Sequence, residues 1–150
     1  VTTRPGRVLG LDLGAKRVGV AVSDDARAVA TPIEVLARSG SPARDHRAVA
    51  ALVLEWEATL VVVGLPYSLS GALGPAAKGV LAEVEALRVT LPVPVETYDE
   101  RLTTVTADRS LMEQRMKADA RRRVVDKVAA AVMLQSWLET DARRPGGGAA

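Results

Sequence analysis

Arg7-Val-Leu-Gly-Leu-Asp-Leu-Gly-Ala-Lys-Arg-Val-Gly-Val-Ala-Val-Ser23 is two β-rich runs, Arg7 to Leu13 and Val18 to Ser23, separated by Gly14-Ala15-Lys16-Arg17. Such spacing predicts an antiparallel hairpin. With the turn at Gly14 to Arg17, Leu13 pairs with Val18, Asp12 with Gly19 and Gly10 with Ala21. The two-residue period then sends Leu9, Leu11 and Leu13 to one face and Gly10 with Asp12 to the other. Asp12 thus stands over residues with almost no side chain, leaving room for an ion, a phosphate or a backbone. Burying a carboxylate is costly unless something compensates it. Asp12 either meets such a partner or supports the hairpin through local hydrogen bonds; Lys16 and Arg17 either contact phosphate or are solvated turn residues.

Outward from the hairpin, a third short strand is expected within Ala28 to Leu36, edged or interrupted at Pro32. Val49, Leu52, Val53 and Trp56 recur at helical spacing between Pro42 and Glu57, and Leu60 to Gly64 is a continuous apolar strand. Gly74-Pro75 opens a helix through about Arg88, with the proline at a favoured first-turn position. Val93 to Tyr98 resumes an extended run, and helices are expected over 104–113 and 122–140. Strands followed by βα units predict an α/β fold, a mixed β-sheet flanked by helices on both faces, in a single domain over 7–140. Residues 1–6 and 141–150 read as flexible ends.

The 150 residues suffice for one core but not for two lobes around a cleft. No cysteine is present, which excludes disulfides, thiolate-bound metals and a thiol nucleophile. The longest uncharged run, Ala58 to Ala77, is broken by Gly64, Pro66, Gly71, Gly74 and Pro75 and does not read as a membrane helix. With no secretory signal visible, the chain reads as cytoplasmic, with no membrane partner. Net charge is only +2, yet the last fifty residues hold 10 of the 20 basic groups and 6 of the 18 acidic ones. Arg115, Lys117, Arg121, Arg122, Arg123 and Lys127 gather there, either to neutralise phosphate backbone or as a solvated face. Two Trp, two Tyr and no Phe argue against a base-stacking platform. His46, alone on its helix, reads as a surface residue.

Two further carboxylates complete the chemistry. Glu100 follows a strand end, where α/β proteins commonly place functional groups, and either binds metal or pairs with an arginine, while Asp99 reads as a turn or capping residue. Thr103 and Thr104 are candidate caps for the next helix. Asp126, near the expected start of the last helix, is either a ligand or a macrodipole or salt-bridge residue. The small residues Ala129-Ala130-Ala131 could let that helix lie close to the sheet and bring Asp126 near Asp12. Three such carboxylates repel one another without a cation but suit hard divalent ions, which in pairs promote phosphodiester hydrolysis.

Gly10 to Asp24, Val63-Gly-Leu-Pro66, Asp99-Glu-Arg-Leu-Thr-Thr104 and Val125-Asp-Lys-Val-Ala-Ala130, in this order, resemble the YqgF family, also called RuvX or RuvC-like resolvases. The resemblance implies an RNase H-like fold and a nuclease acting on the 5′ end of precursor 16S ribosomal RNA or on branched DNA. It implies Asp12, Glu100 and Asp126 as catalytic and metal-holding residues, with Mg2+ or Mn2+. It places Lys16 and Arg17 at the family's first-loop basic positions and Arg101, Thr103 and Thr104 in its second acidic motif. Arg121, Arg122, Arg123 and Lys127 complete the expected nucleic-acid contacts. Tyr67-Ser68 and Leu69-Ser70-Gly71 depart from the usual loop pattern, and Ala129 stands where RuvC-type resolvases have a fourth carboxylate. Two other readings stay open: an actin or sugar-kinase type nucleotide-binding module, because Asp12-Leu-Gly14 before Lys16 also resembles its phosphate hairpin, and a non-catalytic RNA or ribosome-assembly binder. Monomer and homodimer are both compatible with the sequence.

Overall fold

The computed structural model describes residues 6–66, 71–102 and 118–143, the final helix in backbone only as far as 124. Among these residues five strands form one sheet: β1 (Arg7–Leu13), β2 (Arg17–Ser23), β3 (Ala30–Ala37), β4 (Ala58–Leu65) and β5 (Val95–Asp99), in the spatial order β3-β2-β1-β4-β5. The first three make an antiparallel meander, whereas β4 and β5 run parallel to β1. Among the described residues three helices accompany them: α1 (Pro42–Glu55), α2 (Pro75–Thr90) and α3 (Ala118–Arg143), with a 3-10 turn at Glu100–Leu102.

The β1–β2 register is the expected one, with Leu13 opposite Val18, Asp12 opposite Gly19 and Gly10 opposite Ala21. Two apolar layers follow from the alternation. Leu9, Leu11, Val18, Val20, Val61 and Val63 pack against Val49 and Val53 of α1 and Val80, Val84 and Leu87 of α2. On the opposite face Val8, Ala21, Leu60, Val62 and Tyr98 pack against Ala129, Ala130, Met133, Leu134 and Trp137 of α3. The sheet is therefore mixed and covered on both faces, in keeping with the near-continuous apolar run of β4.

Local chemistry explains the element ends. Ser41 caps α1 by accepting from the Arg44 N–H, and Pro75 begins α2 after Gly74. β3 lies at an edge, where Pro32 interrupts no central ladder, and its register shifts between Val20 and Ala21, leaving Ile33 as the extra residue. Side-chain hydrogen bonds also hold α3 to the sheet. Gln135 Oε1 accepts from the Ala30 N–H at 2.8 Å, and the Tyr98 hydroxyl lies 2.8 Å from Ser136 Oγ and 3.1 Å from Thr140 Oγ1.

Several boundaries differ from expectation. α3 starts at Ala118 rather than Arg122 and continues to Arg143, into the stretch read as a tail. Asp126 consequently sits in the third turn. Because the macrodipole acts within the first turn, it does not account for that carboxylate. His46 is a second correction: it is not a surface residue but 5% exposed, with Nε2 2.8 Å from Glu83 Oε2. A partner 37 residues away on another helix left no local mark in the sequence. The helix expected over 104–113, together with Thr103, Thr104, Arg115 and Lys117, lies outside the described residues, as do 1–5 and 144–150. Among the described residues no helix is long and apolar enough to cross a membrane.

Candidate nuclease site

Asp12 is the second-last residue of β1, half-buried on the α3 face. On its β2 side stands Gly19; continuing the Leu11–Val63 register by one residue puts Gly64 on its β4 side. Both glycines are occupied from above. A Cβ on Gly19 would fall 2.0 Å from the backbone oxygen of Asp126, and one on Gly64 would fall 2.5 Å from Glu100 Oε1. Gly10, one step back on the same face, would meet Leu134 Cβ at 2.9 Å. The glycine floor thus admits helix α3 on one side of Asp12 and the Glu100 carboxylate on the other. The buried alanines 129, 130 and 131 permit that close approach from the helix side.

Each carboxylate has its own surroundings. Asp126 Oδ2 accepts from Arg17 Nε at 2.8 Å, both side chains being about one-quarter exposed or less (25% and 20%). This pair joins a residue expected to hold metal to one expected to touch phosphate, and it is the kind of contact that the salt-bridge reading of Asp126 anticipates. Asp99 Oδ1 accepts from the Arg101 N–H at 2.9 Å, and its carboxylate also pairs with the Arg101 guanidinium. That hydrogen bonding holds the Asp99 carboxyl below its usual range, and it makes Asp99 the turn residue expected. Among the described residues no three acidic or histidine side chains are drawn together as a ready ligand set. Asp12, Glu100 and Asp126 share one end of one sheet face without being closed around a common point.

The basic residues divide by position. Lys16 is exposed at the hairpin tip and, with Gly14, Ala15, Arg17 and Asp126, lines an open cavity of 360 Å³. Lys127 is half-buried on α3 beside Asp126. Arg121, Arg122 and Arg123 fall on the α3 backbone one to two turns earlier, and Arg101 is exposed beyond β5. The donor set of Asp12, Glu100 and Asp126 is all carboxylate oxygen, the chemistry that suits Mg2+ or Mn2+ rather than a soft metal.

Comparison with known proteins decides the family. The profile of the RuvX family, Holliday junction resolvase, matches residues 6–140. The chain belongs to the RuvX family. It is 50% identical over 135 residues to the "Putative pre-16S rRNA nuclease" of Mycobacterium sp. (strain KMS), covering 89% of this chain and 80% of that one. The protein of the same name from Mycobacterium tuberculosis (strain ATCC 25177 / H37Ra) is 47% identical over 135 residues, covering 89% and 79%. RuvX is a nuclease family, so the chain is a member of a nuclease family. Among solved structures, Thermus thermophilus RuvC in complex with Holliday junction substrate superposes with a TM-score of 0.57 at 16% identity, over 90% of this chain and 96% of that one. At that identity the likeness concerns the fold, and it bears out the RNase H-like sheet expected of the sequence.

Sequence reasoning reached Asp12, Gly19 and the small-residue stripe of α3, but it missed Gly64 as part of the site. A lone glycine inside an apolar strand is itself a sign of close approach and could have flagged it. Arg38 and Glu83, which brace the hairpin from the other face, carried no local signal.

Proposed function

We propose that this RuvX protein hydrolyses phosphodiester bonds in precursor 16S ribosomal RNA, using divalent cations held by Asp12, Glu100 and Asp126. The observation that carries the reading is the pair of glycines flanking Asp12, one under the Asp126 backbone and one under the Glu100 carboxylate. Side chains at those positions would hold the other two acidic residues away from Asp12. Mg2+ or Mn2+ bound by the three carboxylates would polarise the phosphodiester and supply an activated water.

The remaining residues position the substrate. Lys16 at the hairpin tip, with Arg17, Lys127 and the Arg121–Arg123 cluster, would neutralise phosphates on either side of the scissile bond. Arg17 pairs with Asp126 at 2.8 Å, so a substrate phosphate and the Asp126 carboxylate would compete for the same guanidinium. With few aromatic residues, recognition rests on backbone and shape rather than on base stacking. The 47–50% identical relatives named for pre-16S rRNA support RNA as the substrate, and branched DNA is the comparison.

The test is incubation with Mg2+ or Mn2+ and labelled precursor 16S RNA, four-way DNA junctions and single strands, alongside Asp12→Asn. RNA cleavage lost in the variant while binding persists is the expected result. Equal cleavage by Asp12→Asn would overturn the site, preference for junctions would overturn the substrate, and binding without cleavage would leave a non-catalytic RNA binder.

A further inference from the structure

The turn between β1 and β2 is braced from the face of the sheet opposite the acidic residues. Arg38, directly after β3, donates its backbone N–H to the Lys16 carbonyl at 2.9 Å. Its guanidinium gives two further bonds to the Gly14 carbonyl, from Nε at 3.0 Å and from Nη2 at 2.9 Å. The outer edge of the same guanidinium grips Glu83 of α2, with Nη1 to Oε2 at 2.5 Å and Nη2 to Oε1 at 2.9 Å. His46 of α1 meets Glu83 Oε2 from the other side. Arg38 therefore ties the hairpin tip to both helices of that layer through a planar fork that lysine cannot reproduce.

The front of this turn carries the groups that the proposed function places on phosphate. Gly14 donates its N–H to the Arg17 carbonyl at 2.9 Å, and a Cβ there would fall 2.6 Å from that oxygen, so glycine closes the turn. Glycine also leaves the backbone poorly restrained on its own. Lys16 and Arg17 line the 360 Å³ cavity with Asp126, whereas Arg38, Glu83 and His46 lie behind it. Ordering a loose cationic turn at the moment of binding would subtract from affinity; a turn already held avoids that loss.

We propose that Arg38, braced by Glu83 and His46, is a positioning residue for substrate binding, presetting the Gly14–Arg17 turn so that Lys16 and Arg17 meet phosphate in place. This inference rests on the reading that those two side chains contact nucleic-acid phosphate. It assigns Arg38 no contact with substrate or with the reacting atoms.

The experiment is a mutant cycle on binding, read by fluorescence anisotropy in EDTA with a labelled single-stranded RNA spanning the precursor 16S 5′ junction. Arg38→Gln is measured alone and in a Lys16→Ala/Arg17→Ala background, with thermal unfolding in parallel. Arg38→Gln is expected to weaken binding about tenfold alone and less than about twofold in the double-variant background, because residues acting through one another are not additive. A general loss of structure would lower affinity by the same factor in both backgrounds, and that result overturns the inference while leaving the proposed function intact. Should Lys16→Ala/Arg17→Ala bind as tightly as the unmodified protein, the assignment of the turn to phosphate fails first, and this inference with it. If Arg38→Gln does not fold, Arg38→Lys and Glu83→Gln take its place. Each leaves a cation or an acceptor but breaks the fork, and the same non-additive weakening is required of both.

Discussion

Arg17 and Asp126, 109 residues apart, are joined at 2.8 Å across the gap between β2 and α3. The Asp126 backbone lies directly above Gly19, whose missing side chain lets it approach the sheet. One ion pair thus links the phosphate-facing turn to the acidic site. Because both side chains are partly exposed, its contribution to stability is about 1 kcal/mol or less. Arg17→Gln is therefore expected to unfold within a few degrees of the unmodified protein and to bind RNA more weakly. With its competitor gone, Asp126 should also take up Mn2+ more tightly, which titration calorimetry measures. Weaker Mn2+ binding by Arg17→Gln would contradict that competition.

Asp126→Asn is expected to remain folded and to lose about a thousandfold in cleavage rate, the scale of several kcal/mol of charge stabilisation. Single-turnover kinetics at saturating RNA would check it. Near-normal turnover would remove Asp126 from the cation-holding set.

The two glycines beside Asp12 should respond differently to the same substitution. In Gly19→Ala the new methyl meets the backbone oxygen of Asp126 at 2.0 Å, and a helix backbone cannot yield locally. A loss of about 3 kcal/mol is expected, lowering Tm by roughly 6–12 °C. In Gly64→Ala the obstacle is the far end of the Glu100 side chain at 2.5 Å, which can swing aside. Stability should change little while cleavage falls about tenfold or more, through a displaced carboxylate. Scanning calorimetry and activity measured on both variants separate the two outcomes.

Gly79 offers the opposite sign. It is exposed within α2, and nothing lies within 4 Å of a Cβ built there. Gly79→Ala should therefore stabilise the protein by about 0.5–1 kcal/mol, mainly by restricting the unfolded chain. The urea midpoint provides the measurement, and no change in cleavage is expected so far from Asp12.

Glu83 makes stability depend on acid. Burial works to raise its pKa, but hydrogen bonds and charge from Arg38 and His46 together outweigh that and hold it below the ordinary value near 4.5. A carboxylate with a depressed native pKa contributes stability that is fully present above its unfolded value. That contribution is lost as pH falls through the lower native value. Urea midpoints should fall between pH 5 and pH 3, and Glu83→Gln should be less stable at pH 5 with a shallower fall over this interval. An equally steep fall in the variant would assign the acid sensitivity to other carboxylates.

Much of the fold was legible in the chain because its information is local. Alternation around Asp12 fixed which face it occupies, the Gly14–Arg17 turn fixed the hairpin register, and Gly74-Pro75 marked where α2 begins. A strand period of two and a helix period of 3.6 are properties of a few neighbouring backbone units and survive without tertiary context. Periodicity was less informative about ends: α3 runs on through Asp141 and Ala142 because docking, not propensity, sustains a long helix.

What only the tertiary structure decided is which distant groups meet. Asp126 could be read as a ligand, a dipole residue or a salt-bridge residue until α3 proved to start about two turns before it and Arg17 was found beside it. His46 read as a surface residue because its companions, Arg38 and Glu83, come from two other elements. Side-chain pairing across a sheet or between helices depends on crossing and register, which no short window of sequence contains. The sequence by itself determined the strand that carries Asp12 and the bare surface around it. Folding determined that this bare surface is filled on one side by a helix backbone and on the other by Glu100, because close packing brings together groups that the covalent chain keeps far apart.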